Sequence, residues 1–403
     1  MKITIAGGGI AGLVTALALH KDGHEVTVYE AVPELRALGV GINLLPQAVD
    51  ILDRLNLTKR LLTQGVATRE LSYVNRFGQH IWTEPRGKFG GFTSPQISIS
   101  RGDLQMTLLD ATRERLGAER VKTGMRLTGF RNTAEQAVGI FKNIQDEKFE
   151  IASDALICAE GIHSAARKQM YPHEGDPVYS GRILWRATSF AKPYLSSASM
   201  CMFGHQAQKF VCYPIAPVRE DGLQRINWIA ELWIDDLPNR ADWNRPADIN
   251  DFLPQFADWQ FDWLDIPGLI TSAETVYEYP MVDREPVDSW LNDRTVLLGD
   301  AAHPMYPIGS NGASQAILDA ECLCRSLKAQ PDVQSALAKY EDERRSATRK
   351  IILANRKNGP EQCMQLAHER APEGFTNIND VFAPGELKTI ADQYKQLTGM
   401  KKA

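Results

Sequence analysis

The chain has 403 residues, 43% of them hydrophobic and 24% charged, with a formal net charge of −5. That length allows two to three domains around a substantial core, and the acidic balance argues against a nucleic-acid surface, which carries a basic excess. No apolar run reaches the roughly 20 residues that span a bilayer, so the expectation is a cytoplasmic protein with no membrane partner.

The first predicted element is a strand, Ile3-Thr4-Ile5-Ala6, followed at once by Gly7-Gly8-Gly9-Ile10-Ala11-Gly12 and an alanine- and leucine-rich helix to Leu19. A second strand pattern, His24 to Tyr29, ends in Glu30. Strand, glycine turn, helix, strand and acid in that order bind a dinucleotide. Gly7 permits the turn, Gly9 leaves room for a pyrophosphate, and Gly12 lets helix and sheet approach. Free N–H groups where the helix opens, at Ile10 and Ala11, favour phosphate. Glu30 is positioned to accept hydrogen bonds from an adenosine ribose. A cleaved signal peptide is not expected, because cleavage would remove this turn.

From Leu71 to Phe92, alternating Tyr73, Val74, Phe77, Ile81 and Trp82 among glycines suggest an antiparallel excursion. An amphipathic helix follows Ser100-Arg101-Gly102-Asp103 to Leu116, then strands at Val121 to Phe130, Gly139 to Phe141 and Ala155 to Cys158. Between about 173 and 282 the chain becomes aromatic, with Trp185, Trp228, Trp233, Trp243, Trp259 and Trp263. Strand-like runs at Ile183 to Phe190, Phe210 to Ile215 and Ile226 to Leu232 predict a mixed sheet there. Thr295-Val296-Leu297-Leu298 restores a buried parallel strand. Helices are expected at roughly 312–328 and 332–358, then a polar tail whose Lys395, Lys401 and Lys402 read as a solvated face. The six cysteines contain no CxxC and read as small buried hydrophobes, and the eight histidines show no ligand spacing, so no metal is predicted.

A second glycine segment decides between nucleotides. Gly299-Asp300-Ala301-Ala302-His303 follows a strand, and Pro307-Ile308-Gly309-Ser310-Asn311-Gly312-Ala313 opens a helix. An acid at a strand's carboxyl end can bond a ribityl hydroxyl. A loop feeding a helix N-terminus can set N–H groups against the pyrimidine edge of a flavin, which gains negative charge on reduction. With Gly7–Gly12, Glu30 and a middle segment Cys158-Ala159-Glu160-Gly161 running to Ser164 and Arg167, the sequence resembles the single-component flavoprotein aromatic hydroxylases. In the middle segment Cys158 stands for a usual glycine and Glu160 for a usual aspartate. Longer strings, among them Leu38-Gly39-Val40-Gly41-Ile42-Asn43 and Glu84-Pro85-Arg86-Gly87, are similar to the phenazine-hydroxylating and salicylate-hydroxylating subgroups.

The resemblance implies an α/β fold: a Rossmann-like FAD-binding domain, an inserted mixed β-sheet substrate domain and C-terminal helices. Residues 1–72, 98–172 and 283–330 would form the FAD domain, 73–97 and 173–282 the substrate domain, and 331–403 the helical region. It implies bound FAD, NADH or NADPH as co-substrate, O2, and hydroxylation through a flavin C4a-hydroperoxide of a planar aromatic or fused heteroaromatic carboxylate, with or without decarboxylation. A tetracycline- or polyketide-like substrate is the alternative within the fold, and a non-catalytic flavin- or ligand-binding protein the alternative outside it. A monomer or homodimer is expected. For FAD the resemblance implies Gly7, Gly9, Ile10, Ala11, Gly12 and Glu30, then Arg36, Gly41, Ile42, Arg101 and Leu127, then Asp300, Gly309, Asn311, Gly312 and Ala313. At the reacting centre it implies Tyr213, Pro307 and, if its side chain points inward, Lys209. Tyr73, Trp185, Trp228 and Met305 would form a flat apolar slot for the ring. Without the resemblance Arg36, Arg101 and Lys209 read as surface cations, and the tryptophans as core.

Overall fold

The structure is a computed structural model that describes residues 1–37, 39–235 and 245–399; Leu38, Trp243, Lys401 and Lys402, named above, lie outside them. The apolar strands Glu25–Tyr29, Lys2–Ala6, Ala155–Cys158 and Thr295–Leu297 are successive parallel neighbours in a six-stranded sheet. Val121–Lys122 and Leu291–Asn292 close its two edges. Most of these side chains are buried, which is why the strands read as apolar runs. Parallel pairing brings the carboxyl ends of the strands to one edge. The glycine turn, Glu30, Glu160 and Asp300, far apart in sequence, therefore meet there.

Helices Ile10–Lys21, Arg101–Leu116 and Gly312–Ala329 pack together through Leu13, Val14, Leu17, Leu104, Leu108 and Ile317. The turn into the first helix tolerates only glycine at two points. Gly7 has φ +109°, and a Cβ there would lie 2.2 Å from the Ala159 carbonyl oxygen. A Cβ on Gly12 would lie 1.9 Å from the Gly7 carbonyl oxygen, so helix and strand approach to backbone contact.

The second large layer is an eight-stranded sheet. Its order is Arg245–Pro246, Tyr277–Asp283, Val178–Ala191, Gln224–Trp233, Gln208–Pro214, Ser199–His205, Glu70–Val74 and His80–Pro85. Strands from the 71–92 excursion form its far edge, through parallel pairing of Glu70–Val74 with Ser199–His205. Sequence patterning does not predict Ser199–His205, which is poor in β-branched residues; pairing on both sides makes it a strand. One face of this sheet is an aromatic core in which Trp185 stacks on Phe252 and Phe210 on Trp228. The other face looks toward the nucleotide domain.

Behind Gly312–Ala329 come helices Val333–Asn355, Gln362–Arg370 and Glu386–Leu397. The last corrects the expectation of a solvated tail: Tyr394 is buried, and Lys395 lies 2.6 Å from the buried Glu84. All six cysteines are unpaired and buried. No helix among the described residues is long and apolar enough to cross a membrane.

Candidate active site

Two helix N-termini open onto empty space. Gly9 caps the helix Ile10–Lys21, and Gly312 begins the helix Gly312–Ala329. A Cβ added to either would meet nothing within 4 Å. Ala11 packs close to Gly299, bringing the two glycine motifs together. This geometry fits a dinucleotide laid along the sheet edge, with backbone N–H groups and helix dipoles facing its anionic parts. Glu30 stands in the same cradle, accepting from the Gly8 N–H at 2.6 Å and the Val32 N–H at 2.9 Å.

Near the second helix N-terminus lies a cavity of about 250 Å³. Gly41, Ile42, Arg101, Asp300, Met305, Pro307, Asn311, Gly312 and Ala313 line one side. The eight-stranded sheet supplies the other through Leu184, Arg186, Met200, Met202, Lys209, Val211, Tyr213, Ile229 and Glu231. Asp300 is crowded by protein, which raises its carboxyl pKa despite the opposing pull of His303 and Arg101. Burial pushes the Tyr213 phenol up to about 12, although Arg186 opposes the shift. It is therefore a neutral hydrogen-bonding group at ordinary pH.

Strand parity decides which predicted residues reach this cavity. Successive side chains of a strand point to opposite faces. On Gln208–Pro214 the odd positions face the cavity, so Lys209 and Tyr213 are there and Phe210 and Cys212 are not. On Val178–Ala191 the even positions face it, so Arg186 lines the cavity. Trp185 instead lies in the opposite core, with its indole N–H donating to Glu278 at 3.1 Å. On Gln224–Trp233 the same rule places Glu231 in the cavity and Trp228 behind it, where its N–H donates to the Ser189 hydroxyl. Trp185 and Trp228 are thus not slot residues. Tyr73 is fully buried beside a smaller adjoining recess.

Lys209 points inward, but between Glu231 at 2.9 Å and Glu361 at 2.6 Å. Burial alone would lower its pKa; the two carboxylates raise it. Arg182 completes the cluster at 3.3 Å from Glu231. Two cations face two carboxylates, so Lys209 has no charge to spare. Arg36 is a surface residue with its side chain 74% exposed, paired with Glu34. The Leu127 side chain is buried in the nucleotide-domain core, leaving only its backbone toward a ligand. Asn311 turns its side chain away from the cavity, donating to the Tyr394 hydroxyl at 2.7 Å.

Sequence reasoning missed three residues. Arg186 gives one N–H to the Gly41 carbonyl at 3.1 Å, while its Nε is buried without a partner. Asn227 accepts from the Gly41 N–H at 2.5 Å, fixing the loop that borders the cavity. Asp319 accepts from the Gly299 N–H at 3.1 Å and from Arg344 at 2.7 Å, and lies 2.5 Å from His303, thereby clamping the Gly299–His303 turn. The polar residue at an even position of an aromatic strand was the available signal for Arg186. In the middle segment Glu160 takes a local capping role, accepting from Ser164 at 2.6 Å and the Ala165 N–H at 3.1 Å. Arg167 of that segment donates to the Ala301 and Ala302 carbonyls, tying it to the second glycine motif.

Comparison with known proteins agrees with this architecture. A family model described as "FAD binding domain" matches residues 1–354. The chain is 43% identical over 364 residues to phenazine 1,6-dicarboxylic acid hydroxylase PhzS of Lysobacter antibioticus, covering 88% of this chain and 89% of that one. It is 32% identical over 376 residues to 3-amino-4-hydroxybenzoate 2-monooxygenase PtmB3 of Streptomyces platensis, covering 89% and 88%. Klebsiella pneumoniae HpxO, solved with FAD and uric acid, shares the fold with a TM-score of 0.74 at 23% identity, over 99% of this chain and 93% of that one. The chain belongs to the FAD-binding-domain family and is an FAD-dependent, NAD(P)H-using aromatic hydroxylase.

Proposed function

We propose that the protein hydroxylates a planar fused-ring aromatic carboxylate of the phenazine type. The observation that carries this reading is the charge balance around the cavity. Lys209 and Arg182 are matched by Glu231 and Glu361, and Arg101 faces Asp300. Among the described residues Arg186 has no carboxylate partner, and burial lowers its pKa. A buried guanidinium with an unused N–H is a seat for a carboxylate. The 43%-identical relative named for a phenazine dicarboxylic acid supports the ring system.

Bound FAD supplies the redox chemistry, relaying electrons from NAD(P)H to O2. The residues fit such a group through the open helix starts at Gly9 and Gly312 and through Asp300 at the strand end. We assign the ADP half to Gly7–Gly12 and Glu30, and the flavin end to Gly41, Ile42, Arg101, Asp300 and Gly309–Ala313. The protein's work is then positional. Arg186 fixes the substrate carboxylate, the protonated Tyr213 donates beside it, and Met305 and Pro307 border the ring. Leu184, Val211 and Ile229 keep the reacting space apolar, which limits unproductive release of peroxide. The balance is one aromatic C–H, O2, NAD(P)H and a proton to one phenol, water and NAD(P)+. If the carboxylate itself is replaced, CO2 leaves in place of the ring proton. A cytoplasmic location, where NAD(P)H is available, is part of this proposal.

The test is NADH and NADPH oxidation by the purified protein against salicylate, hydroxybenzoates and phenazine-1-carboxylate, with peroxide quantified. Acceleration by the phenazine acid without matching peroxide is expected. Full peroxide release, or acceleration only by a single-ring acid, would overturn the substrate assignment.

A further inference from the structure

Behind the cavity lies a recess of about 20 Å³, with Met200, Met202 and Ser310 lining both spaces. Its polar residues include Tyr73, Glu84, Arg86 and Lys395. Tyr73 is 0% exposed, and its hydroxyl has no hydrogen-bond partner. The Arg86 Nε is likewise buried and unpartnered, on a side chain only 12% exposed. Glu84 lies 2.6 Å from Lys395 and 3.9 Å from Arg86. Lys395 is shared between Glu84 and Asp392, the latter at 4.0 Å, so what the recess offers is two unused donors, the Tyr73 hydroxyl and the Arg86 Nε–H. Native structures seldom bury donors in this way unless a ligand or a water completes them. Arg86 also belongs to the string Glu84-Pro85-Arg86-Gly87 singled out in the sequence.

We propose that this recess is a second anion subsite, taking a carboxylate at the far end of a fused-ring substrate whose first carboxylate sits at Arg186. The proposal rests on the reading above and narrows the substrate class to planar polycyclic aromatic dicarboxylates. A space of roughly 10–15 Å³ admits a water, so the recess admits a carboxylate oxygen as it stands. The ring edge enters past Met200 and Met202, whose unbranched, polarisable side chains adapt to an occupant more readily than branched ones. Tyr73 and Arg86 then donate to the carboxylate, while Lys395, on the C-terminal helix, borders the recess and holds Glu84.

The test titrates the FAD holoenzyme with phenazine-1-carboxylate and phenazine-1,6-dicarboxylate, following the flavin absorbance. The wild type is expected to bind the diacid at least about tenfold more tightly. Arg86→Gln and Tyr73→Phe are expected to bring that ratio toward one; the second removes a single oxygen and so keeps the packing. Equal affinity for the two acids, with the monoacid still hydroxylated, overturns the subsite while the substrate reading stands, and the recess then holds a water only. Variants that weaken both acids by the same factor also overturn it, because that assigns Tyr73 and Arg86 a structural role. If neither acid perturbs the flavin, the subsite and the substrate reading fall together.

Discussion

The two faces of the eight-stranded sheet are built from the same strands and do opposite jobs. On one, Trp185, Phe210, Trp228, Phe252 and Phe256 interlock in stacked and tilted pairs with ring centroids 4.7 to 6.3 Å apart. On the other, Arg186, Lys209, Tyr213 and Glu231 surround a cavity. Burying charge beside empty space is unfavourable. The aromatic face stabilises the sheet that must carry that arrangement. The division predicts that substitutions on the aromatic face change stability first, and that Arg186 changes function first.

The largest expected effect is on the aromatic face. Trp228→Ala should cost about 3–5 kcal/mol in denaturant unfolding, and a loss below about 1 kcal/mol would show that this face does not anchor the sheet. Lys209→Met tests the cluster at the cavity. It leaves Glu231 and Glu361 buried with only Arg182, and should cost about 3–5 kcal/mol. The double change Lys209→Met/Glu361→Gln should recover most of that loss; failure to recover would show that the lysine acts outside the cluster.

Arg186→Met should sharpen the contrast. It removes a buried charge without a carboxylate partner, so stability should stay within about 1 kcal/mol while affinity for a carboxylate substrate falls about 10- to 100-fold. Unchanged affinity would remove Arg186 from the site. A network outside the sheet gives a pH-dependent reference. Asp319 is held at about 2 because His303 and Arg344 outweigh the upward push of burial. Its folded pKa lies below the unfolded value, so its contribution is present above about pH 4 and lost as pH falls toward 2. The loss should be about 2 kcal/mol, and Asp319→Asn should flatten that limb of the stability profile. Smallest is Tyr213→Phe, with a loss of binding of about two- to tenfold. With its phenol at about 12, the loss should not vary between pH 6 and 9.

The nucleotide domain was legible because its chemistry is carried by backbone. Glycines at 7, 9 and 12 report a turn, an open helix start and a close approach without any tertiary information, and the fold contains each. The substrate sheet was legible only as a sheet. The direction of Lys209 was open in the sequence; strand parity turns it and Tyr213 toward the cavity, whereas Trp185 and Trp228, expected in the slot, lie behind it. A shift of one residue moves every side chain of a strand to the other face, and nothing local to an aromatic-rich strand says which face holds the ligand. Lys395 was misread for a related reason. Its partner Glu84 is far away in sequence, so the contact that buries it leaves no local pattern.

The sequence by itself therefore determined the dinucleotide cradle and the flavin-type second motif, because short spacings and glycine positions dictate backbone shape. Only the tertiary structure decided that Lys209 is already neutralised, that Arg186 lines the cavity without a carboxylate partner among the described residues, and that the C-terminal helix borders the adjoining recess. Each of those is a statement about which charges are buried together. Burial is a property of packing between segments far apart in the chain, and no local spacing encodes it.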